Sequence, residues 1–253
     1  MMWIVDDLNR KIELKKVPER VICLCPSITE TLIAMGVNVV GRTKFCIHPK
    51  DKIPNIPIVG GTKKVHYDKI EALLPDCIIA EKEENTPEIV QTLEKKYPVY
   101  VVNVESWKEG IRMIKNLGDL FQKSLLTKEW LKVIPEKLSS IVHQKKAVYL
   151  IWYDPIMTVG KTTYIHDVLH QLGFINPFEH QGRYPTLSME DLQQVAPDYL
   201  FLSSEPFPFK EKHVQVFQEL LPCTQVMLVD GEMFSWYGVR MKESVLFFEK
   251  LLQ

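Results

Sequence analysis

Residues 67–80 read YDKIEALLPDCIIA, and the same plan returns at residues 189–202 as MEDLQQVAPDYLFL. Each copy has the pattern of a short helix that an acidic residue opens and a Pro-Asp pair ends, followed by a buried strand. At a constant offset, the matched pairs are Asp68 with Glu190, Ile70 with Leu192, Leu73 with Val195, Pro75 with Pro197 and Asp76 with Asp198. The chain therefore carries an internal repeat.

A second pair of segments extends the repeat towards the start of each half. Val21–Leu24 precede Pro-Ser and a helical pattern that ends at Gly36, and Ala147–Ile151 precede a loop and a helical pattern that ends at Gly173. Alternating strands and helices imply parallel sheets with helical crossovers. We therefore predict an α/β fold of two similar lobes. Since open α/β sheets bind ligands beyond the carboxyl ends of their strands, we expect the ligand in the cleft between the lobes.

Between the two halves, residues 124–143 read SLLTKEWLKVIPEKLSSIVH and contain neither Gly nor a strand-like run. Apolar residues at steps of three and four predict one helical face. Thr127 can cap the helix, and Pro135 should kink or restart it. We predict an N-terminal lobe at 1–123, a bridging helix at 124–143 and a C-terminal lobe at 144–253, the alternative being one more packing helix in a single domain.

Composition excludes several classes of protein. The 253 residues carry a formal charge of -1, which gives no reason to expect a nucleic-acid partner. No apolar run approaches the roughly 18 residues of a membrane helix. The start, MMWIVDDLNRKIEL, has acidic residues where a signal peptide needs Lys or Arg, so the localisation is open between cytoplasmic and a trimmed export product. Five cysteines without a CxxC pair predict reduced, mostly buried thiols.

Motifs for catalysis or metal binding are weak. HDVLH places His166 and His170 on one helical face, but the metalloprotease motif needs Glu at the second position, where this chain has Asp167. GKTT resembles a P-loop, yet Pro155 stands at the position of its first Gly. We therefore expect no catalytic residue, no resident metal and no cofactor.

The sequence CPSITE follows the first buried strand. Ser27 and Glu30 have the spacing of a capping box, which predicts a helix that starts at Ile28. Its N-terminal end suits an anionic or carbonyl-rich ligand, although capping alone is equally compatible with these residues.

Aromatic residues concentrate in the loops that follow the predicted strands of the second half. Flat, partly apolar ligands suit such loops, and the alternative is that the loops pack on one another. The aromatic residues are Trp152, Tyr153, Tyr184, Phe207, Phe209, Phe234, Trp236 and Tyr237.

The chain resembles the helical-backbone class of periplasmic binding proteins for vitamin B12 and ferric siderophores. The similarity covers nearly the whole chain through PERVICLCPSITETLIAMG, IPIVGG, DKIEALLPDCIIA, MEDLQQVAPDYLFL and FSWYGVR, in the family's order. A loosely described branch, the helical-backbone metal receptors, is also similar. This resemblance implies two lobes joined by one long helix.

The resemblance also implies residue roles. An acid on each lobe docks an ABC permease in that family, and the matching positions are Asp68 and Glu190, although both equally suit a helix N-terminus. The implied ligand loops include Thr62 and Glu81, where B12 binders tend to carry aromatic residues. With the aromatic loops and candidate charged contacts added, the expected ligand-binding residues are Pro26, Ser27, Phe45, Thr62, Glu81, Trp152, Tyr153, Arg183, Tyr184, Glu205, Phe207, Phe234, Trp236, Tyr237 and Arg240.

We therefore expect a non-catalytic, monomeric substrate-binding protein of an ABC-type importer. Its ligand is a metal chelate: cobalamin or another corrinoid, a ferric siderophore or haem. The alternative is a cytoplasmic protein that handles metal chelates, or a chelatase-like enzyme on the same fold, in which His48, His66 and Glu81 approach a metal.

Overall fold

The computed structural model describes residues 2–142 and 144–252. These residues form two compact units, each assembled from separate stretches of chain. The first unit consists of the residues through Val104, Glu109–Ile134 and Tyr237–Arg240, and the second of Glu105–Lys108, Pro135–Trp236 and the residues from Met241 onward.

The first unit contains a hairpin and a four-stranded sheet in which all neighbouring strands are parallel. The hairpin consists of β1 (Met2–Val5) and β2 (Lys11–Leu14). The sheet has the order β4-β3-β5-β6, formed by β3 (Val21–Cys23), β4 (Val39–Arg42), β5 (Cys77–Glu81) and β6 (Val99–Val102). The helices of this part of the chain are α1 (Pro26–Ala34), a 3-10 turn (Ile53–Asn55), α2 (Tyr67–Ala72), α3 (Pro87–Leu93), α4 (Trp107–Leu120) and α5 (Ser124–Val133).

The second unit is built on a six-stranded sheet. Its order is β10-β8-β7-β11-β12 with β9 beside β7, formed by β7 (Lys145–Trp152), β8 (Ile156–Thr158), β9 (Phe174–Ile175), β10 (Thr186–Leu187), β11 (Tyr199–Ser203) and β12 (Gln225–Val229). The β7, β11 and β12 strands are parallel, and β8 and β10 are antiparallel to their neighbours. The helices are α6 (Tyr164–Gln171), α7 (Met189–Val195), α8 (Glu211–Leu220), α9 (Gly231–Ser235) and α10 (Met241–Phe248).

Each sheet packs with its flanking helices into an apolar core. The strands carry continuous apolar runs because helices cover a parallel sheet on both faces. In the first unit, β5 contributes Ile78 and Ala80, which pack with residues of the flanking helices such as Ile70. In the second unit, β11 contributes Leu200 and Leu202 to the corresponding core. The predicted α/β fold with mainly parallel sheets is confirmed.

The repeat is visible in the hydrogen bonds of its Pro-Asp pair. The carboxylate of Asp76 accepts the backbone N–H groups of Glu19 and Arg20, both at 2.9 Å, just before β3. The carboxylate of Asp198 accepts the backbone N–H of Lys146 at 2.8 Å, at the start of β7. In both units, the aspartate that ends a repeat helix therefore holds the start of the neighbouring parallel strand.

The segment at 124–143 differs from the prediction. Helix α5 ends at Val133, and the described residues beyond it contain no second helix before β7. A proline disfavours the helical conformation of the residue before it, and Ile134 is accordingly extended with φ -95° and ψ 105°. The prediction of one helix across 124–143 was therefore wrong, and α5 belongs to the first unit. The bridging role stays a prediction.

Two predicted helix caps were also wrong. Helix α5 begins at Ser124, so Thr127 lies inside it, where its hydroxyl donates to the carbonyl of Ser124 at 3.3 Å. Helix α1 begins at Pro26, whose fixed φ suits the first helical position, and no side chain caps it. The carboxylate of Glu30 instead pairs with Arg240, whose Nη2 lies 2.5 Å from its Oε1.

Side chains cap two other helices. Thr163 caps α6, and Ser188 and Asp191 form the capping box of α7. Cys23, Cys25, Cys46 and Cys77 are buried and free, and Cys223 is exposed and free. Within residues 2–142 and 144–252, no helix combines the length and the apolar character that crossing a membrane requires.

Candidate ligand-binding site

In the first unit, Asn85 organises the carboxyl ends of the strands. Its side-chain amide donates to the carbonyl of Leu24 at 3.2 Å and to that of Thr62 at 3.0 Å, and its carbonyl oxygen accepts the backbone N–H of Glu81 at 2.8 Å. One buried side chain thus joins the end of β3, the loop after Gly60-Gly61 and the end of β5. The predicted residues Thr62 and Glu81 are brought together on this frame.

Glu81 is the last residue of β5 and is only 3% exposed. Its Oε2 accepts the backbone N–H groups of Glu83 and Glu84, both at 2.7 Å. Burial outweighs these bonds and raises the pKa of Glu81 to about 7. Burial also raises the pKa of the nearby Glu84, against a side-chain hydrogen bond from Thr62. The edge therefore holds buried carboxyl groups that resist ionisation.

A second group of buried polar atoms surrounds Cys25, between β3 and α1. The Cys25 Sγ lies 3.5 Å from the hydroxyl of Ser27 and 3.9 Å from that of Tyr237. Burial raises the pKa values of the Cys25 thiol and the Tyr237 phenol well above their ordinary ranges, so both stay protonated at neutral pH. The predicted residues Ser27 and Tyr237 share this group, and Pro26 begins α1 beside it.

A buried arginine anchors the loop after β4 through hydrogen bonds to backbone carbonyls. Arg42 donates through Nε to the carbonyls of Ile53 and Ile56, both at 3.1 Å, and through Nη1 to that of Cys46 at 3.1 Å. Phe45, in the same loop, is 49% exposed. The predicted ligand contact Phe45 is therefore an open aromatic ring on a fixed loop.

In the second unit, aromatic rings gather at the carboxyl ends of β7 and β11. Trp152 meets the ring of Phe207 edge-on at 5.6 Å, and Tyr153 stacks on the same ring at 5.8 Å. The backbone N–H of Phe207 donates to the carbonyl of Ile151 at 3.3 Å, which fixes the loop against β7. Trp152 remains 39% exposed. Three predicted residues thus form a cluster with one open indole.

Glu205 follows β11 and is half-buried. Its Oε1 accepts the hydroxyl of Ser235 at 2.7 Å and the indole N–H of Trp236 at 2.9 Å. Burial raises the pKa of Glu205, and these two bonds oppose the change. A Cβ added at Gly231 would lie 2.7 Å from Glu205 Cγ and 2.3 Å from Ser203 Oγ, so only glycine leaves room for this carboxylate.

Three other predicted residues are already engaged within the protein. Phe234 lies in α9 and is fully buried, with ring contacts to Tyr149 and Phe248 at 5.0 Å, so it belongs to the core. Arg240 is buried in its ion pair with Glu30. Arg183 pairs with Glu105 at 3.2 Å and lies 5.8 Å from the ring of Tyr184. Direct ligand contact by these residues stays a prediction.

The two predicted docking acids occupy equivalent places. Asp68 lies in the first turn of α2 and Glu190 in the first turn of α7, and both side chains are exposed. Helix α7 is capped by Ser188 and Asp191. Because Ser188 and Asp191 already form the cap of α7, Glu190 is not part of the capping box, and its side chain is exposed.

In the described part of the chain, no three His, Cys, Asp or Glu side chains form a group that holds a metal ion. His48, His66 and Glu81 thus do not form the metal site of the alternative hypothesis. His166 and His170 share a helix face with ring centroids 6.4 Å apart, and the Nε2 of His166 faces Glu179 at 3.5 Å.

Asn85, Glu84, Ser235 and Gly231 were missed by the sequence analysis. Asn85 and Glu84 follow β5 in the run EKEEN, and a polar run directly after a buried strand was a usable signal. Gly231 and Ser235 lie in α9, whose five residues the sequence analysis read as a loop. Their role depends on the distant Glu205, which no local pattern reveals.

Comparisons with known proteins agree with this architecture. An ABC transporter substrate-binding lipoprotein of Bacillus subtilis is 28% identical over 215 residues, which cover 77% of this chain and 67% of the relative. A vitamin B12-binding protein of Salmonella paratyphi A is 25% identical over 194 residues, which cover 74% of this chain and 73% of the relative.

Two solved structures share the fold. The catecholate-siderophore binding protein of Vibrio cholerae superposes with a TM-score of 0.82 at 18% identity, covering 98% of this chain and 99% of that one. A periplasmic haem-binding protein in complex with two haems gives 0.74 at 17% identity, covering 91% and 96%. The family model described as periplasmic binding protein matches residues 21–220. With its two α/β units, its repeat and this match, the chain belongs to the periplasmic binding protein family.

Proposed function

We propose that this protein is the substrate-binding protein of an ABC-type importer and that it binds a metal chelate. The observation that carries the proposal is the cluster of Trp152, Tyr153 and Phe207, which leaves an open indole at the carboxyl end of β7. An exposed aromatic ring with buried polar groups on the same sheet edge suits a bulky, partly apolar ligand. In the first unit, Phe45 and Glu81 supply the corresponding pair of groups.

Family members and fold relatives support this ligand class. The relatives described above include proteins for vitamin B12, a catecholate siderophore and haem. These ligands differ in charge and shape, but each holds a metal within an organic chelator. We therefore propose a corrinoid, a ferric siderophore or haem as the ligand class, bound by a monomer.

We further propose that binding proceeds without catalysis. The buried thiol and phenol at the first sheet edge, Cys25 and Tyr237, stay protonated because burial raises their pKa values. A thiol acts as a nucleophile through its thiolate, so Cys25 is unsuited to that role. Glu205, at the second edge, is fixed by Ser235 and Trp236. These features favour a fixed binding surface.

Thermal unfolding tests the proposal directly. The protein is unfolded alone and with hydroxocobalamin, haem, a ferric catecholate or a ferric hydroxamate. A ligand at about 100 times its dissociation constant adds roughly 2.7 kcal/mol to the free energy of unfolding, which raises Tm by at least a few degrees. A rise with one class identifies the ligand. An unchanged Tm with every chelate would refute the proposed ligand class.

We propose that Asp68 and Glu190 dock the permease, because both are exposed at matching positions of the repeat. The double reversal Asp68→Lys and Glu190→Lys should abolish stimulation of the transporter's ATPase while ligand affinity stays unchanged. The matched control reverses two other exposed acids, Glu13 and Glu219. Equal loss in test and control would show a general charge effect, and a loss of ligand affinity in the test would place the two acids in the binding site.

A further inference from the structure

Glu81 ends β5 at the carboxyl edge of the first unit, and its own loop fixes its carboxyl group. The Oε2 atom accepts the backbone N–H groups of Glu83 and Glu84, both at 2.7 Å. Two donors fill both lone-pair directions of that oxygen, so a proton bound by the carboxyl group belongs on Oε1. The hydrogen bonds therefore assign Oε1 as the oxygen that is a hydroxyl donor in the protonated acid.

The Oε1 atom of Glu81 is the part of the carboxyl group that a ligand can reach. Within the described part of the chain, Oε1 has no hydrogen-bond partner. Glu81 as a whole is only 3% exposed, yet Oε1 is not among the described side-chain atoms that are sealed from solvent without a partner. The atom therefore keeps a small opening at the edge where ligands of this fold class bind.

The charged groups beside Glu81 do not favour its ionised form. The negative charges of Glu83 and Glu84 raise the pKa of Glu81, whereas the backbone N–H bonds from the same two residues lower it. Lys63 lies on the neighbouring loop, but its Nζ donates to the carbonyl of Glu83, and its charge lowers the pKa of Glu84. Among the described residues, Glu81 forms no ion pair.

Two neutral groups face Glu81 from the side of α1. They are the thiol of Cys25 and the phenol of Tyr237, and both stay protonated at neutral pH because burial raises their pKa values. Neither group supplies a positive charge that would hold Glu81 ionised. Burial is therefore the largest influence on Glu81 and raises its pKa to about 7.

We infer that Glu81 binds the chelate as a protonated acid, and that its Oε1 hydroxyl donates a hydrogen bond to an oxygen on the periphery of the chelate. This inference rests on the proposed binding function and names the chemistry of one contact in the first unit. Amide and carboxylate oxygens are suitable acceptors. An ionised Glu81 would place two acceptors against each other, which leaves both without a donor at a buried site. The chelate therefore selects the protonated form.

The inference fixes the direction of a pH effect on binding. Affinity is highest below the pKa of Glu81 in the free protein, about 7, and falls as the pH rises above it. With this pKa, the affinity should fall about tenfold between pH 6 and pH 8, and binding at pH 8 should take up about 0.9 proton.

Isothermal titration calorimetry measures both effects with hydroxocobalamin, haem, a ferric catecholate and a ferric hydroxamate. Titrations in two buffers of different ionisation enthalpy give the number of protons taken up. Glu81→Gln keeps an oxygen for the two backbone N–H groups and offers an N–H donor to the chelate, but it does not ionise. For a chelate that binds, the ratio of the variant's affinity to that of wild type should rise about tenfold from pH 6 to pH 8. Protons released by the chelate itself cancel in this comparison.

Glu81→Met tests whether the donated hydrogen bond matters. Methionine has a similar length but offers no donor, so the acceptor of the chelate is left unpaired. At pH 6, this variant should bind roughly tenfold more weakly than Glu81→Gln. Urea unfolding checks that both variants fold. Glu13→Gln, which alters an exposed acid, should keep the pH dependence of wild type.

The outcomes separate this inference from the proposed function. An equal pH dependence of binding in wild type and Glu81→Gln would overturn the inference while the protein remained a chelate binder. Equal affinities of Glu81→Met and Glu81→Gln at pH 6 would likewise overturn the donated hydrogen bond. Loss of proton uptake in Glu84→Gln and not in Glu81→Gln would overturn the assignment to Glu81. Absence of binding by every chelate would overturn the proposed function and the inference together.

Discussion

Glu81→Gln should remove a pH dependence from the stability of the protein. Burial raises the pKa of this carboxyl from 4.5 to about 7, so the folded state binds the proton more tightly than the unfolded chain does. The wild-type protein therefore gains stability at low pH and loses it as the pH rises from the unfolded pKa through the folded one. With one pKa unit worth about 1.36 kcal/mol, the loss between pH 5 and pH 8 is about 1 to 2.5 kcal/mol.

Urea unfolding at pH 5 and pH 8 measures this difference. Glutamine keeps the shape of the side chain and an oxygen for the N–H groups of Glu83 and Glu84, but it does not ionise. The free energy of unfolding of Glu81→Gln relative to wild type should therefore increase by about 1 to 2.5 kcal/mol from pH 5 to pH 8. Glu13→Gln, at an exposed site, controls for the general loss of one acid. A difference that does not change with pH would refute the argument that Glu81 is buried as a protonated acid.

Gly231→Ala should destabilise the protein by about 1 to 3 kcal/mol, because the new Cβ would lie 2.3 Å from Ser203 Oγ, and urea unfolding measures this cost. Asn85→Ala should cost about 2 to 4 kcal/mol in the same assay, since it leaves three backbone groups at the first sheet edge without their partner. Asp76→Ala and Asp198→Ala should each lower the free energy of unfolding by about 1 to 2 kcal/mol, and a neutral result for either would show that the repeated strand cap adds no stability.

The fold was predictable because its signals are local and occur twice. The strand at Cys77–Glu81 and its counterpart at Tyr199–Ser203 were expected from short apolar runs after a Pro-Asp pair. Two copies of one pattern support each other, since a chance match in both halves with equal spacing is improbable. The α/β class and the parallel order of the sheets followed from the alternation of strands and helices.

Helix ends were less predictable because several residues compete for each end. At α1, a serine and a glutamate had the spacing of a capping box, but Pro26 begins the helix earlier and Glu30 pairs with Arg240. That arginine lies 210 residues further along the chain. At α5, the apolar periodicity continued past Pro135, yet the effect of proline on Ile134 ended the helix.

The candidate site was only partly predictable, because contacts between residues that are distant in the sequence decide which side chains are buried. Trp152, Tyr153 and Phe207 could be named because aromatic residues in strand-end loops are visible in the sequence, and the structure brings them into contact. Phe234 is likewise an aromatic residue that follows a predicted strand, but it is buried in the core. Burial depends on which helix covers a residue, and a single sequence does not encode that in any short pattern.

The repeat stabilises the amino ends of the strands, which lie away from the candidate site. The matched residues Asp76 and Asp198 hold the amino ends of β3 and β7, so the duplicated pattern stabilises the edge away from the candidate site. At the carboxyl edges, the described residues of the two units differ: Asn85 joins the strand ends of the first unit, and the second unit carries stacked aromatic rings. We therefore expect that substitutions at the carboxyl edges change ligand choice, while the repeated aspartate caps keep each sheet folded.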